Sequence, residues 1–383
     1  MKINLKSKIN RDKYTDYVCE AFDIQDSDTT ESEVSFNLGS AKSFDWNIGV
    51  IYGSSGSGKT TILKQMGKLA SSSFDGEKSL ISNFDWLEPS EASMLLSSMG
   101  LSSVPTWLRP FHLLSNGEQF RAELAYKVAR AKDNDVILID EFTSVVDRDV
   151  AKSMSFAIQK YVRKHNKRMI VASCHYDIME WLTPDWVSSP QKNGGALQRS
   201  SLLRGSRPNI ELQVSRVESS AWDIFKKHHY MSDKVNKAYI HLLFTWSNKP
   251  IAIAVIGRQI GRGVGLAYRD SRIVVLPDFQ GMSIGTSISN FTASIFKSIG
   301  ARYFTKTIHP ALGEYRNKNT NIWKPTAFNG KIRNKVNAKE NIYTSIKLRA
   351  SYCHEYIGKP LHGYKHILLP IKQMRETNTL KLF

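Results

Sequence analysis

The 383-residue chain has room for two domains, and its 41% hydrophobic share suffices for real cores. No run of about 18 apolar residues occurs, no signal-peptide core opens the chain, and three scattered cysteines (Cys19, Cys174, Cys353) make neither a disulfide framework nor a zinc site, so a soluble cytoplasmic protein is expected. The net charge of +18 is lopsided: residues 1–200 hold 24 Lys+Arg against 25 Asp+Glu, whereas residues 201–383 hold 29 against 10.

That asymmetry points to a polyanionic partner for the second half, nucleic acid being the usual one. Solubility, or a site for an anionic cofactor, is the alternative.

In chain order, residues 1–45 are polar, with an acidic stretch at 26–33, and Val34–Leu38 alternates like an edge strand. Phe44 or Trp46 is placed either to stack on an adenine or to pack in the core. Trp46–Tyr52 reads as a buried strand and Thr61–Ala70 as a helix. Between them lies Gly53-Ser54-Ser55-Gly56-Ser57-Gly58-Lys59-Thr60, which fits the phosphate-loop pattern without a mismatch. Such a turn aims its backbone N–H groups at a polyphosphate, and glycines and serines keep side chains out of the way. Lys59 would reach the terminal phosphates, the Thr60 hydroxyl would ligate Mg²⁺, and Thr61 opens the helix whose dipole faces the anion.

A Ser-rich break at Ser71–Gly76 precedes a helical stretch, Glu91–Met99. Next comes Leu114-Ser115-Asn116-Gly117-Glu118-Gln119, leading into a helix. Ser115, Gly117 and that helix N-terminus would form a second anion site, although Ser115 and Glu118 also satisfy a plain capping box. The apolar run Val136–Ile139 ends in Asp140 and Glu141, followed by Ser144-Val-Val-Asp147. Asp140 would hold Mg²⁺ and Glu141 would act as general base toward water. Met169–Ser173 is another buried strand and leads to Cys174 and His175.

Taken together these motifs resemble those of ABC-type ATPases, in the order that family uses them. The resemblance implies ATP and Mg²⁺ as ligands and a head-to-tail homodimer. In such a dimer Ser115 and Gly117 contact the γ-phosphate held by the other copy, and His175 is the switch histidine that senses it. Asn116 and Glu118 depart from the family's Leu-Ser-Gly-Gly-Gln. The stretch from Lys59 to Ser115 is short, and no Q-loop glutamine is evident in it. Both points argue against a transporter subunit.

The polar stretch Ser188–Ser201 reads as a boundary. Beyond it come a short helix (Ala221–Tyr230) and a hairpin (Ala238–Trp246 and Ile251–Gly257 around Ser247–Pro250). A strand through Val274 and Val275 follows, then a loop (Gln280, Gly281, Ser283, Ile284, Gly285, Thr286), a helix from Ile288 to Gly300, and a strand from Arg302 to Thr307. The loop and the element order resemble GNAT acyltransferases, whose loop binds the pyrophosphate of acetyl-CoA or another acyl-CoA. The resemblance implies that backbone near Val274 and Val275 polarises the thioester and that Tyr315 is the catalytic acid. An exposed or stacking tyrosine is the alternative for Tyr315, and His228, His229, Tyr230, His309 and Asp270 are further candidates. The tail from Lys331 interleaves basic and aromatic residues, as a nucleic-acid groove does.

The expected fold is therefore α/β: a P-loop ABC ATPase domain (1–187), a linker (188–207), and a mixed α+β GNAT-like domain with a basic tail (208–383). As a whole the chain resembles ABC-type ATPases fused to a GNAT-like domain, and in domain class the Mom-type enzymes that modify adenine in phage DNA. The function this implies is ATP hydrolysis coupled to acylation of an amine on, or bound to, nucleic acid. The alternative is an ATPase whose basic domain only grips nucleic acid.

Overall fold

In chain order the strands are β1 (Lys2–Lys8), β2 (Thr29–Ser35), β3 (Ile48–Tyr52), β4 (Val136–Ile139), β5 (Arg168–Ser173), β6 (Trp186–Ser188), β7 (Gln198–Arg199), β8 (Glu211–Val217), β9 (Ile240–Trp246), β10 (Lys249–Arg258), β11 (Ala267–Val275), β12 (Arg302–Thr307), β13 (Trp323–Pro325), β14 (Tyr352–Tyr356) and β15 (Asn378–Lys381). The helices are α1 (Lys13–Ala21), α2 (Lys59–Met66), α3 (Pro89–Ser98), α4 (Val104–Trp107), α5 (Asn116–Arg130), α6 (Arg148–Lys164), α7 (Ile178–Leu182), α8 (Ile284–Ser298) and α9 (Pro310–Lys318). This computed structural model describes residues 2–8, 10–22, 29–37, 44–132, 135–192, 195–200, 210–229, 233–261, 263–331, 351–370 and 378–381.

The chain divides into two units, one of residues 1–71, 127–145 and 159–206, the other of residues 72–126, 146–158 and 207–383. This departs from a simple split at 188–207. The segment after α2, the first part of α5 and the start of α6 are grouped with the C-terminal residues. Part of the expected linker is also structured: β6 ends at Ser188, and β7 pairs back on it, Val187 opposite Gln198.

The first unit holds a sheet in the order β4-β5-β3-β6-β7. Its first four strands run parallel, and β3, the strand leading into the phosphate loop, lies between β5 and β6. Apolar runs rather than alternation mark such strands because both faces are covered, and Ile48, Val50 and Ile51 are fully buried. The start of β3 is pinned by Asp185, whose Oδ2 accepts from the backbone N–H groups of Asn47 (2.8 Å) and Ile48 (2.9 Å). Arg163 completes the site, donating from Nη1 to Asp185 at 3.1 Å and from Nη2 to the Thr183 carbonyl at 2.6 Å. Gly49 is required by close approach: a Cβ there would lie 2.0 Å from the Trp186 ring. Strands β1 and β2 form a separate antiparallel pair. The edge strand expected at Val34–Leu38 therefore begins earlier; β2 ends at Ser35, Asn37 bridges to Ala196, and Leu38 lies outside the described residues.

The second unit holds a sheet in the order β13-β14-β12-β11-β10-β9-β8-β15. The β9–β10 hairpin turns on Ser247 and Asn248, both at positive φ (48° and 63°). That is the pattern of a type I′ turn, so Lys249 and Pro250 belong to β10 rather than to the turn. Strands β11 and β12 are parallel but pair only at Ala267–Arg269 with Arg302–Phe304. Helix α8 buries Ile288, Phe291, Ile295 and Phe296, which join Leu242, Phe244, Ile251 and Trp323 in one core. It starts at Ile284, four residues before the expected Ile288. The expected helix at Ala221–Tyr230 is instead two short 3₁₀ turns, Ser219–Ile224 and Lys226–His228, and Tyr230 lies outside the described residues. No helix among the described residues is long and apolar enough to cross a membrane.

Candidate functional site

At the carboxyl end of β3 the turn Gly53–Gly58 opens into α2, with Gly58 as its N-cap. Gly56 and Gly58 stand at φ 75° and 88°, in the left-handed region that L side chains rarely adopt. A Cβ on Gly53 would press to 2.8 Å from the Ser57 hydroxyl. Lys59 folds back over the turn, its Nζ donating to the carbonyls of Gly53 (2.9 Å) and Ser54 (2.6 Å). The Ser57 hydroxyl is buried with no partner among the described residues. A buried orphan hydroxyl within this glycine-rich turn fits a phosphate, which would supply the missing partner.

The turn is one wall of a cleft of about 500 Å³. Its other walls are Asp140 and Glu141 from the end of β4, Ser144, Ser173 and Cys174 from the end of β5, and Pro190 and Gln191 after β6. Four parallel strands thus deliver their carboxyl ends to one crevice, where ligands of open α/β sheets bind. Just past β4, Glu141 and Thr143 stand at φ 49° and 68°, in the left-handed region. The Asp140 carboxylate accepts from the Glu141 N–H at 3.0 Å. The Ser173 hydroxyl ties two loops together. It donates to the Phe142 carbonyl (3.0 Å) and accepts from the His175 N–H (3.1 Å). His175 itself is half-buried and is not among the residues lining the cleft.

Gln191 went unrecognised in the sequence because it sits in a Pro/Gly-containing polar stretch. Its Oε1 accepts from the Ser54 N–H (3.3 Å), and its Nε2 donates to the Ser54 hydroxyl (2.9 Å). Both aromatics considered for adenine are half-buried and have packing partners. Trp46 packs edge-on against Trp186 at 5.6 Å, Phe44 lies under the Arg199 guanidinium at 4.2 Å, and both adjoin the buried cluster around Ile51. Among the described residues no group of three or more His, Cys, Asp or Glu is placed to hold a metal ion. A divalent cation here would lean on Thr60, Asp140 and the phosphates themselves.

Solved structures that align with the chain include ATP-binding cassettes. One is MJ0796 in a dimeric post-hydrolysis state with ADP and Pi, at 15% identity over 54% of this chain and 100% of that one, with a TM-score of 0.35. Another is a dimeric MJ0796, a bacterial ABC transporter cassette, at 14% over 48% and 95%, TM-score 0.32. A third is cbiO1 from Clostridium perfringens, part of the ABC transporter complex cbiONQ, at 16% over 46% and 82%, TM-score 0.32. No protein-family model matches the sequence, and neither does any curated protein. Likenesses this faint carry no functional weight, and what the cleft can do is decided by its own residues.

In the second unit, Ser115 stands just before α5, and its N–H and hydroxyl both donate to the Glu118 carboxylate (3.0 and 3.1 Å). The capping box is therefore formed, and Glu118 also accepts from the Thr106 hydroxyl at 2.9 Å. Gly117 is needed for close packing, since a Cβ would come 3.1 Å from Val150.

The residues expected to serve an acyl-coenzyme A are placed differently. Val274 is buried, and the Val275 carbonyl accepts from the Gln280 side chain at 2.8 Å. The other end of that side chain accepts from the Ser102 N–H at 2.6 Å. A Cβ on Gly281 would come 2.9 Å from the Ala157 methyl group, beside Gly100. This chain's own backbone therefore fills the Gln280–Gly281 end of the expected cradle, and a pyrophosphate does not fit there. Only the turn Ser283-Ile284-Gly285-Thr286 at the head of α8 is left.

The Tyr315 hydroxyl, on α9, accepts from Asn290 Nδ2 at 2.7 Å, and Asn290 Oδ1 accepts from the Trp323 indole at 2.9 Å. Asp270 is buried and paired with the buried Arg316 at 3.0 Å, and burial raises its pKa. His309 Nε2 lies 3.1 Å from the Ser102 carbonyl, and burial lowers its pKa. Burial, together with Arg272, pushes His229 down to about 4, and burial also lowers His228.

Proposed function

We propose that the chain is an ATP-binding and ATP-hydrolysing protein of the ABC type that works as a head-to-tail pair, its basic C-terminal half gripping nucleic acid. One observation carries the first part: the phosphate turn, the Asp140–Glu141 pair and the Ser173–Cys174 strand end converge on a single cleft. The turn residues Gly53 to Thr61 hold the phosphates through backbone N–H groups, and Lys59 exchanges its two carbonyl partners for phosphate oxygens. Thr60 and Asp140 would hold Mg²⁺, which neutralises and orients the phosphates when bound. Glu141 takes a proton from the water that attacks the γ-phosphorus, the bond to the β–γ bridging oxygen breaks, and ADP and phosphate leave. His175, tied by its backbone to Ser173, reports the presence of the γ-phosphate. Ser115 and Gly117 of a second copy close the site.

Glu141→Gln tests this reading. The variant should bind ATP, lose hydrolysis by about 10²-fold or more, and run as a dimer on sizing columns with ATP. A variant that hydrolyses ATP at the wild-type rate, or stays monomeric with ATP bound, contradicts the composite site.

The parting of β11 and β12 favours a second reading for the other unit, a GNAT-like sheet acting as an acyl-coenzyme A N-acyltransferase with Tyr315 as acid. The packing of Gln280 and Gly281 weighs against it, and simple gripping of nucleic acid is the stronger reading. Calorimetry with acetyl-CoA separates them: heat of binding favours transfer, and none, with ATP present or absent, leaves the grip.

A further inference from the structure

Helix α5 begins at the proposed γ-phosphate contact, and its sixth residue, Arg121, is fully buried. The guanidinium donates from Nη1 to the Pro277 carbonyl (2.5 Å) and from Nη2 to the Asp278 carbonyl (3.2 Å) and the Ser153 hydroxyl (2.6 Å). Burial lowers its pKa to about 10, which still leaves it charged at neutral pH. Pro277 and Asp278 belong to the turn between β11 and α8. That turn is clasped a second time where Gln280 accepts from Ser102 and Gly281 sits against Ala157 and Gly100. Beyond the clasp, the N-cap of α8 is Ser283 at φ 63°, a strained conformation for a serine. A buried charge spent on two backbone carbonyls of a distant turn is costly unless the turn is held in one arrangement. The strained cap lies five residues beyond Asp278, at the head of the helix that the clasped turn leads into.

We propose that Arg121 couples the nucleotide state at Ser115 and Gly117 to the β11–α8 turn, so that the head of α8 is tightened when α5 engages ATP. Gly117 and Arg121 are four residues apart and so lie on the same face of α5. A shift of the helix start therefore pulls on the two carbonyls through a rigid planar fork. Lysine, with a single flexible point charge, cannot hold both. The proposal rests on the ABC reading of α5.

The experiment is hydrogen exchange on the full-length Glu141→Gln protein, read on peptides covering residues 276–288, with and without ATP. Bound nucleotide and sizing are measured on the same samples. With ATP bound and the dimer formed, exchange at the head of α8 should slow by about fivefold or more. Adding Arg121→Lys should leave ATP bound but abolish that slowing. Gln280→Ala, which removes the second clasp and spares the buried charge, should shrink it and serves if the Arg121 variant does not fold. The proposal is overturned if the peptides ignore ATP that is bound, if a folded Arg121→Lys variant keeps the full slowing, or, where that variant does not fold, if Gln280→Ala keeps it. Failure to bind ATP at all overturns the ABC reading itself, and the coupling with it.

Discussion

Ser283 is where one residue's chemistry and its backbone disagree. The position is left-handed, φ 63°, and caps a fifteen-residue helix without a side-chain bond to the helix N–H groups. Glycine would adopt that conformation freely, whereas a serine is strained there by about 1–2 kcal/mol. Glycine's larger loss of backbone entropy on folding returns part of the gain. Ser283→Gly should therefore stabilise the protein by about 0.5–1 kcal/mol, read as a rise in the denaturant midpoint at constant slope. An unchanged or lower midpoint would mean that Ser283 supports the cap in a way its backbone angle does not reveal. Ser173 is the opposite case, a small side chain whose hydroxyl is fully used. It joins the loop of the proposed base to that of the proposed switch with one donated and one accepted bond.

At the scale of elements, β3 is the strand that aims the phosphate loop, and its first N–H groups depend on Asp185. That carboxylate is fully buried, with two backbone donors and Arg163 around it. Asp185→Asn keeps the shape but strands the half-buried charge of Arg163 and weakens the bonds from Asn47, Ile48 and Arg163. A loss of about 2–4 kcal/mol is expected, together with weaker ATP binding measured by calorimetry. A loss below about 0.5 kcal/mol, the level of an ordinary surface change, would show that β3 is seated by its apolar contacts alone. Asp185 was not legible in the sequence, because nothing in an isolated Asp before Trp186 announces partners 138 and 137 positions away. The phosphate turn and the Asp140–Glu141 pair were legible, since strand, turn and helix chemistry are local there. The Arg121 clasp was not, because it joins residues 156 and 157 positions apart. The hairpin turn, expected over Ser247–Pro250, is two residues shorter, since Ser247–Asn248 lacks the glycine that usually marks a two-residue turn.

For the whole molecule, charge is the property with the widest reach. The +18 excess resides entirely beyond residue 200, and exposed basic residues such as Lys249 and Arg302 are each already paired with an acidic neighbour. Basic residues with carboxylate partners contribute little to a polyanion site. By formal count, residues 201–383 nevertheless carry 29 Lys+Arg against 10 Asp+Glu. If those cations line a path for nucleic acid, binding is driven by release of condensed counterions. Log K should then fall linearly with log salt, with a slope of about −0.7 per phosphate neutralised on a single strand and about −0.9 on a duplex. Fluorescence anisotropy of a labelled 20-mer against the full chain, in single- and double-stranded form from 50 to 300 mM salt, measures it. A path that neutralises about five phosphates predicts affinities falling by more than tenfold over that range. Running the same titration on the Glu141→Gln protein with ATP then asks whether the grip depends on the nucleotide state. A slope near zero, or no binding at 50 mM salt, would return the basic half to a solubility role and leave the proposed ATPase without a nucleic-acid partner.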